Sequence, residues 1–274
     1  MENNMKLRKV FPILAISLLA ASPVAAMPVK VTIENLAPAK GNYFTPVWLG
    51  FHDGSFDIFD AGGFASPAVQ RLAEDGNAAP LDNVFQVSTT NGVSGVLSSP
   101  NIRFAPGDVA TSGIFDLDPV DNQYFSYMSM IIPSNDAFIG NDNPAAYQIF
   151  SNNGTFQGLD LFILGNSSVM DAGSEVNDEI PVNTAFLGQT VPNTGVTEKM
   201  PIQLHAGFNP KGSGGILDDP MFDNADFTRT GYPLAQIRVE YAGDMKPVST
   251  PIPGAAWLFG SALFCLAGLK SKRK

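Results

Sequence analysis

The sequence predicts an all-β fold, an antiparallel β-sandwich with one short helix. Several short segments alternate between apolar and polar residues, which is typical of strands that bury one face. Turn-forming residues separate these segments, since the chain has 26 Gly and 21 Pro. With 274 residues, of which 45% are hydrophobic and 15% are charged, the chain is long and apolar enough to bury a sizeable core.

The predicted strands follow from the hydrophobic pattern. Residues 29–34 and 236–241 alternate strictly, so each is predicted to be a strand with one face in the core, and Tyr241 is placed on the buried face. Residues 124–132 are apolar on both faces and are predicted to form a central strand. Shorter strands are predicted at 84–87 and 161–164.

One helix is predicted between residues 66 and 76. Ser66 is a favoured N-cap residue, Pro67 suits the first helical position, and Gly76 is placed to end the helix. The glycine-rich run 211–215 is predicted to be a loop because no convincing strand precedes it and no helix follows it.

The N-terminus has the three-part layout of a secretory signal peptide. Basic residues precede an apolar run at 10–21, and small residues follow at 22–26. We therefore expect residues 1–26 to be removed after export across the inner membrane. The mature chain is expected to fold as one domain over residues 27–245.

The C-terminus is built in the opposite order. A spacer with a Pro-Ile-Pro motif at 246–253 precedes an apolar segment and basic tail at 254–274, which is predicted to be a transmembrane segment with its tail inside. The segment resembles the sorting signal of PEP-CTERM proteins, although Thr250 and Ile252 differ from the usual Val and Glu. The resemblance implies recognition by an exosortase and transient residence in the inner membrane. The alternative is a plain anchor that is not cleaved.

Charge and composition exclude several functions. The net charge is −10 for the whole chain, and residues 27–253 contain nine basic and 25 acidic residues, a net charge of −16. Such a surface disfavours nucleic acid as a partner. Cys265 lies in the C-terminal segment, so the predicted domain has no thiol or disulfide chemistry. A P-loop, a His-Glu-x-x-His motif and a Gly-x-Ser-x-Gly motif are absent from the sequence. Of the two histidines, His205 is interpreted as structural.

The acidic residues cluster in two loops. Residues 171–179 place oxygen-bearing side chains around a glycine, and calcium requires six to eight oxygen ligands. The run does not follow the EF-hand pattern, so by itself it fits either an exposed acidic loop or a metal site. A second acidic loop, at 53–60 beside His52, is interpreted as a turn built from Asp and Gly, with a second cation site left open.

Two motifs resemble the N-terminal domain of the spondins, the secreted family that includes F-spondin and mindin. Residues 133–140 read Pro-Ser-Asn-Asp-Ala-Phe-Ile-Gly, and residues 171–175 read Asp-Ala-Gly-Ser-Glu. The family has Pro-Ser-Pro-Asp-Trp followed by Val-Gly, and later Asp-Ala-Gly-Thr-Asp. The segments at 36–38, 45–48, 51–54 and 72–76 look like the prokaryotic branch, and the resemblance extends over about residues 29–241.

The resemblance implies an eight-stranded sandwich, related in shape to C2 domains, with Ca²⁺ held by loop carboxylates. Carried over by position, it makes Asp136, Asp171 and Glu175 the metal ligands. Asp116 and Asp118 are weaker candidates upstream of the central strand. Ala137 stands where the family has Trp, which puts partner contacts in doubt.

Three functions remain open from the sequence. The first is a non-catalytic, calcium-binding adhesion or extracellular-matrix module, located outside the cell, at its surface or associated with the envelope. Its partner would be an extracellular polysaccharide or a surface protein. The second is a secreted glycoside hydrolase or lyase that uses paired carboxylates on exopolysaccharide. The third is a C2-like module that binds lipid through calcium. Scarce tryptophans and scarce basic or apolar loop tips favour the first function.

Overall fold

The computed structural model describes residues 26–243. The C-terminal sorting segment and all but the last residue of the predicted signal peptide lie outside this range. No helix between residues 26 and 243 is both long and apolar enough to cross a membrane.

Two antiparallel sheets form the predicted β-sandwich. Between residues 26 and 243 the sheets contain twelve strands of two to nine residues, whereas the spondin resemblance implies eight. The elements in chain order are β1 (Met27–Asn35), β2 (Tyr43–Phe44), β3 (Val47–His52), α1 (Pro67–Asp75), α2 (Ala79–Ser88), β4 (Val93–Leu97), β5 (Val109–Thr111), β6 (Phe115–Leu117), β7 (Tyr124–Ile132), β8 (Ala137–Gly140), β9 (Leu159–Leu164), α3 (Gly165–Ser168), β10 (Met170–Asp171), β11 (Gln203–Leu204), the 3₁₀ turn η1 (Ile216–Asp218) and β12 (Pro233–Tyr241).

The first sheet has the order β5-β1-β12-β9, and β6 also pairs with β1. Its centre is formed by the two strictly alternating segments, and the register places Val31 opposite Val239 and Ile33 opposite Ile237. All four side chains are buried, which confirms both predicted strands. The prediction for Tyr241 was wrong, because this residue ends the strand and its side chain is 41% exposed. Residues 161–164 lie in β9, as predicted.

The second sheet has the order β11-β10-β8-β7-β3-β4, and β2 also pairs with β7. Eight of the nine residues of β7 are buried, which confirms the predicted central strand. One apolar core fills the space around Ile33, Phe51 and Phe125. A second core lies against Trp48 and Phe138 of this sheet and is covered by α1 and α2.

Helix α1 begins and ends as the sequence predicts. Ser66 Oγ accepts a hydrogen bond from the Val69 amide at 3.3 Å. Gly76 ends the helix in a left-handed conformation with φ of +66°, and its amide donates to Leu72 O at 2.9 Å. The buried face of α1 includes Val69 and Leu72. Helix α1 therefore packs on β7 and β8, inside the second sheet.

Helix α2 corrects both the prediction of a strand at 84–87 and the prediction of a single short helix. Phe85 lies one turn after Leu81 and both are buried, whereas Val87 is 84% exposed. The Phe85 ring packs on Trp48 and Phe56, with centroid distances of 5.2 and 4.9 Å. These tertiary contacts outweigh the strand propensity of the local Val-Phe-Gln-Val sequence.

Candidate metal centre

A tight turn after the central strand positions Asp136. Ser134 Oγ donates to Ile131 O at 2.6 Å and accepts from the Ala137 amide at 3.1 Å. Both hydrogen bonds hold the chain between β7 and β8. Asp136 therefore lies in a hydrogen-bonded turn, and its side chain is fully buried.

The two carboxylate oxygens of Asp136 have different surroundings. Oδ2 accepts from the Ser174 amide at 2.8 Å, from Ser174 Oγ at 3.1 Å and from the Glu175 amide at 3.0 Å. Oδ1 is buried and has no hydrogen-bond partner among the described residues. A buried carboxylate oxygen without a donor is costly. One oxygen therefore fixes the side chain, and the other is left for a ligand.

Asp171 lies next to this turn because β10 pairs with β8, with Asp171 opposite Ala137. Asp171 Oδ1 accepts from the Gly173 amide at 2.7 Å. Gly173 has φ of +63°, and a Cβ at this position would lie 2.3 Å from Met200 O. Residues 171–173 thus form a tight turn, and only glycine fits its third position.

Glu175 lies beneath a glycine of a later loop. Its side chain is buried, and Oε1 accepts from the Gly195 amide at 3.1 Å. A Cβ on residue 195 would lie 2.1 Å from the Glu175 carboxylate. Oε2 is buried without a hydrogen-bond partner in the described part of the chain. Glu175 thus has one satisfied and one free oxygen, as Asp136 does.

The charges of these carboxylates act on one another. Burial, together with the charge of Asp171, raises the pKa of Asp136 to about 7. Burial also raises the pKa of Glu175 to about 8, with contributions from Glu74 and Asp136. Such shifts are expected where like charges are brought together away from water. We call Glu74, Asp75, Asp136, Asp171 and Glu175 the acid cluster.

Sequence reasoning missed the contribution of Glu74 and Asp75 to this cluster. Both stand in the last turn of α1, where the helix dipole disfavours acidic residues. Arg71 forms ion pairs with both carboxylates. The sequence did contain a signal. Two adjacent acids at a helix C-terminus, with one arginine nearby, indicate that the acids do not serve helix stability alone.

His205 is linked to the acid cluster through an asparagine. Its Nδ1 accepts from the Gly207 amide at 3.0 Å, so the ring proton of the neutral form lies on Nε2, 3.2 Å from Asn177 Oδ1. Asn177 Nδ2 in turn donates to Asp171 Oδ2 at 2.9 Å. Burial lowers the pKa of His205. His205 therefore has a structural role: in its neutral form it holds Asn177, which in turn holds Asp171.

The structure places the two weaker candidates elsewhere. Asp116 is exposed on β6, in the first sheet. Asp118 Oδ1 accepts from the Val120 amide at 2.7 Å and so stabilises a local turn. Both precede β7, whereas Asp136 follows it, and a nine-residue strand spans roughly 27 Å. Neither residue contributes to the acid cluster.

The loop after β3 has the features of a turn. His52 is fully buried, its Nδ1 accepts from the Gly54 amide at 3.0 Å, and burial lowers its pKa to about 4. Asp53 Oδ1 accepts from the amide and the hydroxyl of Ser55 at 2.9 and 2.6 Å. These hydrogen bonds stabilise the turn, which agrees with the interpretation of this loop as a turn.

The acid cluster fits a cation by its chemistry. Asp136 Oδ1 and Glu175 Oε2 are hard oxygen donors that have no hydrogen-bond partner between residues 26 and 243, which suits calcium or magnesium. In the part of the chain that the structure describes, however, no three His, Cys, Asp or Glu side chains already form a metal-binding group. A cation would therefore have to draw the carboxylates closer and recruit carbonyl oxygens or water.

One protein family model matches the part of the chain that contains Asp136. Residues 34–153 match the Spondin_N family model. The spondin match supports the resemblance inferred from the motifs, and it contains β7, the turn after it and Asp136. It ends before Asp171 and Glu175. No curated protein sequence matched the chain.

Proposed function

We propose that this spondin-like protein is an exported, calcium-stabilised adhesion or matrix module without catalytic activity. In this proposal Asp136, Asp171 and Glu175 bind Ca²⁺, and the sandwich presents a surface to an extracellular polysaccharide or a surface protein. The PEP-CTERM resemblance and the predicted signal peptide support display outside the inner membrane, with exosortase as the processing enzyme. The prokaryotic branch of the family is part of the same proposal.

The pair of unsatisfied oxygens carries the calcium proposal. Asp136 Oδ1 and Glu175 Oε2 are both buried, and no protein donor reaches either of them in the described residues. Without a cation, burial and repulsion raise both pKa values toward neutrality. A divalent cation would offset the repulsion and hold both groups ionised. Calcium suits the cluster better than magnesium because it accepts irregular coordination by many oxygens.

The burial of the acidic pair favours binding over catalysis. Sugar hydrolysis requires two carboxyl groups on either side of a substrate in an open groove. Asp136 and Glu175 are 0% and 3% exposed, so a polysaccharide would not reach them. A position inside the fold supports a structural cation site, in which the cation would order the loops around it.

The proposal is tested by thermal unfolding of the full chain in EDTA, in Ca²⁺ and in Mg²⁺. Calcium at about 100 times its Kd should add about 2.7 kcal/mol to the free energy of unfolding. For a domain of this size the melting temperature should rise by about 5–10 °C, and magnesium should raise it less. Asp136→Asn should abolish the calcium effect. Asp116→Asn, which removes an acid far from the cluster, is the matched control and should keep the effect. An undiminished calcium effect in Asp136→Asn would overturn the assignment.

A further inference from the structure

A cavity of about 420 Å³ lies beside the acid cluster and outside the proposed calcium site. Its size is that of small-molecule binding sites. Its lining includes Thr45, Ile102, Arg103, Met130, Ile132 and Phe186. Apolar side chains thus form most of this surface, and Arg103 adds a positive charge.

Arg103 is held in place without a counter-ion. Its guanidinium lies over the Phe186 ring, 4.1 Å from the centroid. The ion pairs between residues 26 and 243 involve Arg71, Lys40 and Lys211, so Arg103 has none there. The exposed edges of its guanidinium remain available for a bidentate contact with a carboxylate.

The loop that carries Arg103 is braced and strained. Ser99 Oγ donates to Arg103 O at 2.6 Å, and Asp108 Oδ2 accepts from the Ala105 amide at 3.0 Å. Between these contacts Ile102 has φ of +73° although it is β-branched, and its side chain is 68% exposed. A left-handed β-branched residue costs free energy, and such strain clusters at binding sites. Because the Ile102 side chain is exposed, its burial does not offset the cost of this backbone conformation.

The cavity lining also contains one acid, Asp75. Its carboxylate is ion-paired with Arg71 and accepts from the Asn193 amide at 3.1 Å, so its negative charge is partly offset. The charge of the lining that has no ion pair between residues 26 and 243 is that of Arg103.

We propose that this cavity binds a small organic carboxylate. The carboxylate pairs with Arg103, and the ring or chain that carries it rests on Ile102 and Phe186. Acidic sugars and apolar carboxylic acids both carry a carboxylate on a ring or chain, so both are candidate ligands. None of the three proposed calcium ligands lines this cavity.

The test is isothermal titration calorimetry of the full chain in EDTA with two acids, sodium glucuronate and sodium cyclohexanecarboxylate. Glucose and cyclohexanemethanol are their uncharged counterparts. At least one acid should bind with a Kd on the order of 1 mM, and its counterpart should bind at least tenfold more weakly. The acid that binds more tightly identifies the source of the ligand. Equal binding of the charged and uncharged compounds, or no binding of either acid at 50 times the expected Kd, would overturn the proposal.

Variants of Arg103 and Ile102 separate an effect on binding from an effect on folding, and a variant of Arg238 is the control. Arg103→Gln should weaken binding of the acid at least tenfold, while Arg238→Gln, on the first sheet, should leave it unchanged. Ile102→Asn relieves the left-handed strain, so it should keep or raise the melting temperature while weakening binding. Unchanged affinity in Arg103→Gln would contradict the site. A large fall in melting temperature of Ile102→Asn, with affinity retained, would show that Ile102 serves the fold.

Discussion

Glu175 donates its backbone amide to Asp136 Oδ2 at 3.0 Å, while each of the two residues keeps one buried carboxylate oxygen without a partner. The backbone contact forces two acids to remain close although their charges repel. This arrangement is unfavourable for the metal-free protein, and a bound cation would relieve the repulsion.

Glu175→Gln should stabilise the metal-free protein at pH 8 and abolish its response to calcium. The amide oxygen can still accept from the Gly195 amide, and the repulsion with Asp136 and Glu74 is removed. We expect a rise in melting temperature of a few degrees in EDTA and no further rise with Ca²⁺. A lower melting temperature in EDTA would show that the charge of Glu175 is compensated within the protein.

The stability of the metal-free protein should fall as the pH rises from about 4.5 to about 8. Because burial raises the pKa of Asp136 to about 7 and that of Glu175 to about 8, the folded chain holds protons that the unfolded chain has lost. The stabilisation is therefore complete below the unfolded pKa values and is lost as pH passes through the folded values. Each pKa unit corresponds to about 1.4 kcal/mol.

Urea unfolding in EDTA at several pH values measures this slope. Other carboxylates titrate as well, so the difference between wild type and Glu175→Gln isolates the contribution of Glu175. The difference should grow with pH in favour of the variant. A difference that does not change between pH 5 and pH 8 would contradict the raised pKa.

Gly195→Ala should weaken calcium binding and destabilise the fold. The added Cβ would lie 2.1 Å from the Glu175 carboxylate, so this side chain or the loop must move. We expect a loss of about 1–3 kcal/mol. Gly113→Ala is the matched control, since a Cβ there meets no atom within 4 Å. Equal behaviour of the two variants in thermal unfolding with calcium would exclude a role for this close approach.

His205→Ala should lower calcium affinity without removing a ligand. The substitution leaves Asn177 free to rotate away from Asp171. Loss of such an orienting contact typically costs about 10- to 100-fold in metal affinity. His205→Gln retains a donor for Asn177 and should restore part of the affinity. If both variants titrate with calcium as wild type does, His205 serves only the fold.

Phe85→Ala should destabilise the protein by about 3–5 kcal/mol, since Phe85 attaches α2 to the second sheet. Val87→Ala, two residues away and 84% exposed, should change the stability by less than about 0.5 kcal/mol. Comparable losses for both variants in urea unfolding would mean that residues 84–87 do not form the helix described above.

The sequence predicted those parts of the fold in which local pattern and tertiary burial agree. In β1 and β12 the alternation of side chains matches the buried face, and in α1 the cap residues mark both ends. The pattern failed at Phe85, where contact with Trp48 decides the structure, because such a contact depends on residues that are distant in sequence.

The same limit applies to the candidate metal centre. The motifs predicted Asp136, Asp171 and Glu175, and the structure brings the loops that carry them together. Glu74 and Asp75 reach the cluster only because α1 packs on the second sheet, and spacing along the chain gives no measure of that approach. Asp116 was close in sequence to the central strand but precedes it, so that the length of β7 separates it from Asp136.

Calcium titration of the full chain by isothermal titration calorimetry, with and without Asp136→Asn, is the most direct test of the calcium proposal. We expect wild type to bind calcium with a stoichiometry of about one ion per chain, because a single cluster of carboxylates supplies the ligands. Asp136→Asn should show no binding at this site, and Asp116→Asn should bind as wild type does. Absence of calcium binding by the folded wild-type chain, or unchanged binding by Asp136→Asn, would contradict the account.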